Sequence, residues 1–184
     1  AASISIPYVY IDRSSLHEHL GNAPGNPRYH TQSKGLGDIR LMGYFNSLPS
    51  LQHGGLLLGM GVKAPTGKYN YKDDFVKKVG DDIVSVSLPV DQSIQPGDGG
   101  WGTILEVDFS HKIHKRFHGY VNAMYMLNPR NTNGTLRNPN PSTVPLTGEV
   151  IPLSNEMSVP DQYFVRGGFR YMRNKIQASL GGRM

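Results

Sequence analysis

Thr103-Ile104-Leu105-Glu106-Val107-Asp108-Phe109-Ser110 alternates without a break, with Leu105, Val107 and Phe109 on one parity and Glu106 and Asp108 on the other. Successive side chains of a strand point to opposite faces, so this stretch reads as a strand with one apolar and one ionic face. The same division recurs along the chain. Residues 37–45 set Ile39, Leu41, Gly43 and Phe45 against Asp38 and Arg40, and 56–64 set Leu56, Leu58, Met60 and Val62 against Lys63. Residues 117–127 carry Val121, Ala123, Tyr125 and Leu127 on one parity. Residues 163–171 set Val165, Gly167 and Phe169 against Arg166 and Arg170, and 176–183 set Ile176, Ala178 and Leu180 against Arg183. The apolar parity is uncharged throughout. A sheet with such faces fits between lipid and a water-filled polar lumen; it equally fits a soluble sandwich or lipocalin-like binder with the apolar face turned inward.

The chain has 184 residues, enough for one domain, and 38% of them are hydrophobic, so its composition is not that of a disordered segment. Its 22 glycines and 13 prolines suit a β protein with many turns. There is no cysteine, which excludes disulfides and thiolate metal sites. The net charge of +5 is scattered through loops, strand ends and the polar parity. A nucleic-acid binder would gather that charge on one surface, so no nucleic-acid partner is expected. No apolar run approaches the roughly 18 residues of a membrane helix, but a closed barrel crosses a bilayer with strands of about 10 residues.

Seven strands are expected, over about 3–12, 36–46, 55–64, 102–111, 116–127, 162–172 and 175–184. The connections alternate long and short: 13–35, 65–101 and 128–161 are long, while 46–54, 112–115 and 173–174 are tight. Outer-membrane barrels have this pattern, with long loops outside and short periplasmic turns. Within the second long loop, 82–90 alternates enough to extend a strand. The third is rich in Asn and Pro. Phe45, Phe109, Phe117 and Tyr171 fall near the short-turn ends, and Trp101, Tyr125 and Tyr163 near the long-loop ends, as two interfacial aromatic girdles would. Bacterial single-chain barrels have an even number of strands with both termini on the periplasmic side. Seven strands therefore imply at least one more after Met184, and leave room for others before Ala1.

Sites for chemistry are sparse. Gly59-Met60-Gly61-Val62-Lys63-Ala64 has the GxGxxA spacing of a dinucleotide loop, but Pro65-Thr66-Gly67 follows where a helix must begin, so glycine permitting close approach on a strand is the better reading. His111, His114 and His118 surround one turn among Lys112, Lys115 and Arg116, whose charges oppose a bound cation; His17 and His19 lack further ligands. The loop aspartates lack EF-hand spacing. No nucleophile–base–orienter set is present, so the chain is not read as an enzyme, and neither a metal nor another cofactor is expected. Glu106 and Asp108, facing arginines and lysines, read as part of an ion-pair network lining a lumen.

Three segments occur in order: Gly35-Leu36-Gly37-Asp38-Ile39-Arg40-Leu41, Leu58-Gly59-Met60-Gly61-Val62-Lys63-Ala64-Pro65-Thr66-Gly67 and Gln95-Pro96-Gly97-Asp98-Gly99-Gly100-Trp101. Together they resemble the outer-membrane "transporter" family often filed with phenol-degradation pathways, whose members show a GxGD strand, a GLGVKxPTG strand end and a QPGxGxW loop. The resemblance covers about 35–128. It implies a β-barrel in the bacterial outer membrane admitting small, aromatic or hydrophobic compounds, and it brings no catalytic site.

The expectation is thus one all-β domain over 1–184, an antiparallel up-and-down transmembrane β-barrel with part of its strands present. Outer-membrane lipid surrounds it, and a small-molecule solute passes through or binds inside. Asp38, Arg40, Lys63, Glu106, Asp108, Arg166, Arg170 and Arg183 are the lumen-lining candidates. The alternatives are a structural anchor whose long loops contact an envelope protein or surface polymer, and the soluble sandwich or lipocalin-like binder.

Overall fold

The structure, a computed structural model, describes residues 1–15, 29–47, 54–79, 82–137, 156–173 and 176–183. These residues form strands, one 3-10 turn and loops, with no α-helix among them. The principal sheet has seven strands: β1 (Ala2–Ser5), then β4 (Ile39–Asn46), β5 (Gly54–Ala64), β8 (Gly102–His114), β9 (Phe117–Leu127), β12 (Gln162–Arg173) and β13 (Ile176–Arg183) in that spatial order. Every neighbouring pair is antiparallel. Three further hairpins interrupt the chain: β2 (Tyr8–Ser15) with β3 (Tyr29–Leu36), β6 (Lys72–Val79) with β7 (Asp82–Pro89), and β10 (Thr132–Leu136) with β11 (Glu156–Ser158).

The alternation read from sequence survives pairing. Register sets Leu41 opposite Val62, Met60 opposite Leu105, Val107 opposite Ala123, Val121 opposite Gly167 and Phe169 opposite Leu180. One apolar face therefore runs unbroken over all seven strands. It is open: Met60 is 65% exposed, Phe169 60% and Leu180 81%. None of the described residues forms a second sheet over it, so the apolar parity is not an internal core.

The opposite face carries the polar parity and a small core. Met42, Ile104 and Met126 are buried there against Tyr44 and Met124. Glycine makes that packing possible. A Cβ on Gly59 would stand 2.9 Å from the Tyr44 ring, and one on Gly168 2.9 Å from the Tyr120 hydroxyl. The GxGxxA spacing thus belongs to strand β5, where side chains of neighbouring strands lie over the glycines.

The sheet curls with its polar face inside. Asn46 of β4 and Arg170 of β12 line the same recess. In a flat sheet, strands four places apart would stand about 19 Å from one another. The sheet nevertheless does not close. With every pairing antiparallel, the two edge strands β1 and β13 run in the same direction. An all-antiparallel closure needs an even number of strands. The architecture is an open, curled antiparallel sheet, where the sequence reading expected the strands of a closed barrel.

The long connections also differ from expectation. The first and second contain paired strands among their described residues: the reading of 3–12 as one strand becomes β1 and β2, 82–90 becomes β7, and β3 and β6 were not expected. Ser5 pairs with Arg40 and Tyr8 with Leu36, so Ile6 and Pro7 face Gly37, Asp38 and Ile39. This mismatch is a bulge, and it separates the hairpin from the sheet. The third connection begins with β10 and ends with β11, Gly134 taking φ +77° at the bulge between them. Its Pro-rich middle lies outside the described residues, as do His17 and His19.

Candidate functional site: a polar inner face under a three-hairpin clasp

All three hairpins rise from one end of the sheet, because each lies within a long connection. The segment 90–100 ties them together. Its 3-10 turn, Gln92–Ile94, is capped by Asp91, whose carboxylate accepts from the Ser93 N–H at 2.9 Å and the Ser93 hydroxyl at 2.8 Å. Arg13 of β2 pairs with Asp91 at 3.4 Å, and the Ser33 hydroxyl of β3 donates to the Ile94 carbonyl. The Gln92 amide donates to the Ser158 carbonyl of β11 at 2.8 Å, and the Asn133 amide of β10 to the Asp98 carbonyl at 2.9 Å. Gln32 of β3 donates its N–H to Asp73 of β6 at 2.7 Å. Val90, Ile94, Phe75, Leu88, Met157 and Val159 are buried among these links.

The segments 35–41, 58–67 and 95–101 meet at the base of this clasp. Asp38 receives the N–H of Gly67 on one carboxylate oxygen at 2.9 Å and the N–H of Asp98 on the other at 3.1 Å. Thr66 accepts from the Ile39 N–H at 2.9 Å and donates to the Gly37 carbonyl at 3.1 Å. The Lys63 ammonium donates to the Asp98 carboxylate. Gly67 and Gly97 touch backbone to backbone: a Cβ on Gly97 would lie 2.8 Å from the Gly67 Cα. Gly99, at φ +79°, lets the Tyr69 ring lie flat against the chain. These glycines and charges therefore build a joint.

Burial is the largest influence on the Asp38 carboxyl and raises its pKa; the two N–H donors and Lys63 pull the other way without cancelling it. Burial also pushes Asp91 upward, but the Ser93 donors and Arg13 outweigh it and hold that carboxyl below its ordinary value. Asp161, just before β12, is lowered by the Asn128 N–H and the Tyr125 hydroxyl.

The candidate residues divide into three groups. Asp38 and Lys63 belong to the joint. Lys63 is 1% exposed, so its charge meets Asp98 and no open space. Arg40, opposite Lys63 in register, is half-buried on the same face. Glu106, Asp108, Arg166 and Arg170 line the inner face of the sheet. Glu106 accepts from the Tyr44 hydroxyl at 3.1 Å. The Asn122 amide nitrogen donates to Asp108, while its oxygen accepts from Arg166 Nε at 3.0 Å and Nη2 at 2.7 Å. Arg166 and Arg170 both lie over the Tyr120 ring, at 5.8 and 5.6 Å from its centroid. Asp108, Tyr120, Asn122, Arg166 and Arg170 border a recess of about 410 Å3. Arg183 stands apart on the edge strand, exposed, opposite Arg166.

The inner-face network thus runs through Tyr44, Tyr120 and Asn122, which the sequence reading did not select. They lie on the polar parity of their strands. Counting all polar residues of that parity, instead of charges alone, would have found them. On the outer face His111 stacks on Phe109 with centroids 6.4 Å apart, and Phe117 meets Tyr171 at 5.2 Å. Comparison with protein families, with curated proteins and with solved structures finds no match to this chain.

Proposed function

We propose that this chain forms the wall of an outer-membrane β-barrel that binds small solutes or lets them pass along its polar inner face. The observation that carries the reading is the unbroken, exposed apolar face over seven strands. In water such a face is far larger than the patches that soluble monomers expose, whereas lipid is its natural surround. Dimensions agree. The strands β5, β8, β9 and β12 have 11, 13, 11 and 12 residues, and about 10 suffice for a tilted crossing. Phe117 and Tyr125 of β9 are outward-facing aromatics near its two ends. Their separation is roughly 27 Å along the strand. At a tilt of about 40° this becomes on the order of 20 Å across the bilayer, close to the usual apolar band. The edges of β1 and β13 are free for further strand pairing among the described residues.

The experiment is reconstitution of the full-length protein into vesicles and planar bilayers. Resistance to carbonate extraction, heat-modifiable migration and a stepwise conductance are expected. Release by carbonate without detergent would refute the membrane reading, and a folded, inserted but silent protein would refute passage.

The clasp favours a second reading, a structural anchor. Its hairpins are bonded to one another and present one ordered end of the sheet, as a surface for an envelope partner would be. Removing residues 138–155 should then abolish partner association while leaving heat-modifiable folding intact; unchanged association would count against it.

A further inference from the structure

The inner-face recess has a chemical preference that the proposed function does not specify. Its floor is built from β8, β9 and β12, where Asp108, Asn122 and Arg166 stand in register across the three strands. Asn122 holds its neighbours in a fixed order: its nitrogen serves the carboxylate and its oxygen serves the guanidinium. Asp108 therefore already has a donor, and Arg166 spends two of its N–H groups on one amide oxygen. Arg170, four residues further along β12 on the same face, lies with Arg166 over Tyr120. Its Nε is buried and has no hydrogen-bond partner among the described residues. A buried charged donor left unsatisfied is costly, and an arriving acceptor would remove that cost.

The charge balance has the same sign. Arg166 and Arg170 face one carboxylate, Asp108, in the recess, while Glu106 is engaged by Tyr44 outside its lining. Guanidinium groups present planar, paired donors whose geometry matches a carboxylate and resists replacement by lysine. The ring of Tyr120 keeps the two cations oriented while offering no acceptor in their place. Leu57 contributes an apolar wall beside them, which suits a ligand with a hydrophobic body.

Resting on the reading of the inner face as a solute site, we propose that this recess is a binding site for small organic carboxylates, held by Arg170 and Arg166 over Tyr120. The probe is benzoate, with benzamide as a neutral molecule of nearly the same shape. Equilibrium binding is measured on the full-length protein folded in detergent micelles, a format that needs no conductance. Benzoate is expected to bind saturably and at least about tenfold more tightly than benzamide. That ratio corresponds to one charge-assisted pair. Arg170→Gln should weaken benzoate about tenfold and leave benzamide unchanged. Asp108→Asn, which removes the opposing charge, should strengthen benzoate. The two variants move affinity in opposite directions, so a general loss of fold cannot imitate the pattern, and heat-modifiable migration checks each. Equal binding of the two probes, no saturable benzoate binding, or a wild-type affinity in Arg170→Gln would overturn the proposal. A protein that binds benzoate in this way yet carries no current would keep the site and remove the passage reading alone.

Discussion

Replacing Lys63 by Met tests the joint on which the clasp rests. Lys63 is 1% exposed and its ammonium donates to Asp98, whose side chain is 17% exposed. Met keeps most of the apolar stem, so the substitution chiefly removes charge and donor. Breaking one partner of a buried ion pair costs about 3–5 kcal/mol, because the remaining charge stays buried without compensation. Asp98 keeps some water and still accepts from the Gly100 N–H at 2.9 Å, which places the expected loss near the lower end, about 3 kcal/mol. That is roughly a hundredfold in the folded-to-unfolded ratio. The single tryptophan, Trp101, lies three residues beyond Asp98 and is its natural reporter. Urea unfolding of the detergent-folded protein, followed by Trp101 fluorescence, gives the stability. Lys63→Met combined with Asp98→Asn removes both charges and should recover more than half of the loss. A single-variant cost below about 1 kcal/mol, or a double variant at least as unstable as Lys63→Met, would refute the argument that this pair secures the joint.

Gly97→Ala should lower stability by about 1–3 kcal/mol in the same urea assay, since its Cβ would stand 2.8 Å from both the Gly67 backbone and an Asp38 carboxylate oxygen; an unchanged midpoint would show that the joint gives way freely. Val107→Arg puts a charge amid the apolar face and should cost about 2–4 kcal/mol in vesicles if that face meets lipid, but a few tenths if it meets water. Asp38 and Asp91 should have opposite pH signatures. The folded pKa of Asp38 is raised, so its contribution is fully present below the unfolded value of 3.8 and declines as pH rises through the folded value. That of Asp91 is lowered, so its contribution is present above 3.8 and is lost as pH falls through the folded value. Urea midpoints from about pH 3 to pH 7 should show Asp38→Asn and Asp91→Asn changing the pH slope in opposite directions; the same direction for both would contradict the assignment.

The two-faced sheet was legible because side-chain alternation is local: reading 103–110 or 163–171 needs no knowledge of neighbours. The tight connection near 112–115 was equally plain, and it appears as a reversal between His114 and Phe117 with a register shift before it. The upper hairpins were less legible. Lys72-Asp73-Asp74-Phe75 opens β6 with three charges, and Thr132-Asn133-Gly134 opens β10 with turn residues, so neither carries a strand pattern. Their pairing with β7 and β11 supplies the strand. The inner-face site was half legible, since the charges of the polar parity put Asp108, Arg166 and Arg170 together but passed over Tyr120 and Asn122, which share that parity without a charge.

By itself the sequence determined that this protein is antiparallel β with one uncharged face, because a period of two acts within each strand. It also set the long connections at one end, since direction reverses at each strand. Only the tertiary structure decided that the apolar face is the exposed one and that the seven strands curl without closing. It alone showed that Asp38 and Lys63, of the polar parity, are taken into a buried joint instead of lining the recess. Those outcomes depend on residues distant in the chain: Lys63 is buried because Asp98, 35 positions away, is folded back onto it. No local pattern of polar and apolar residues records such a contact.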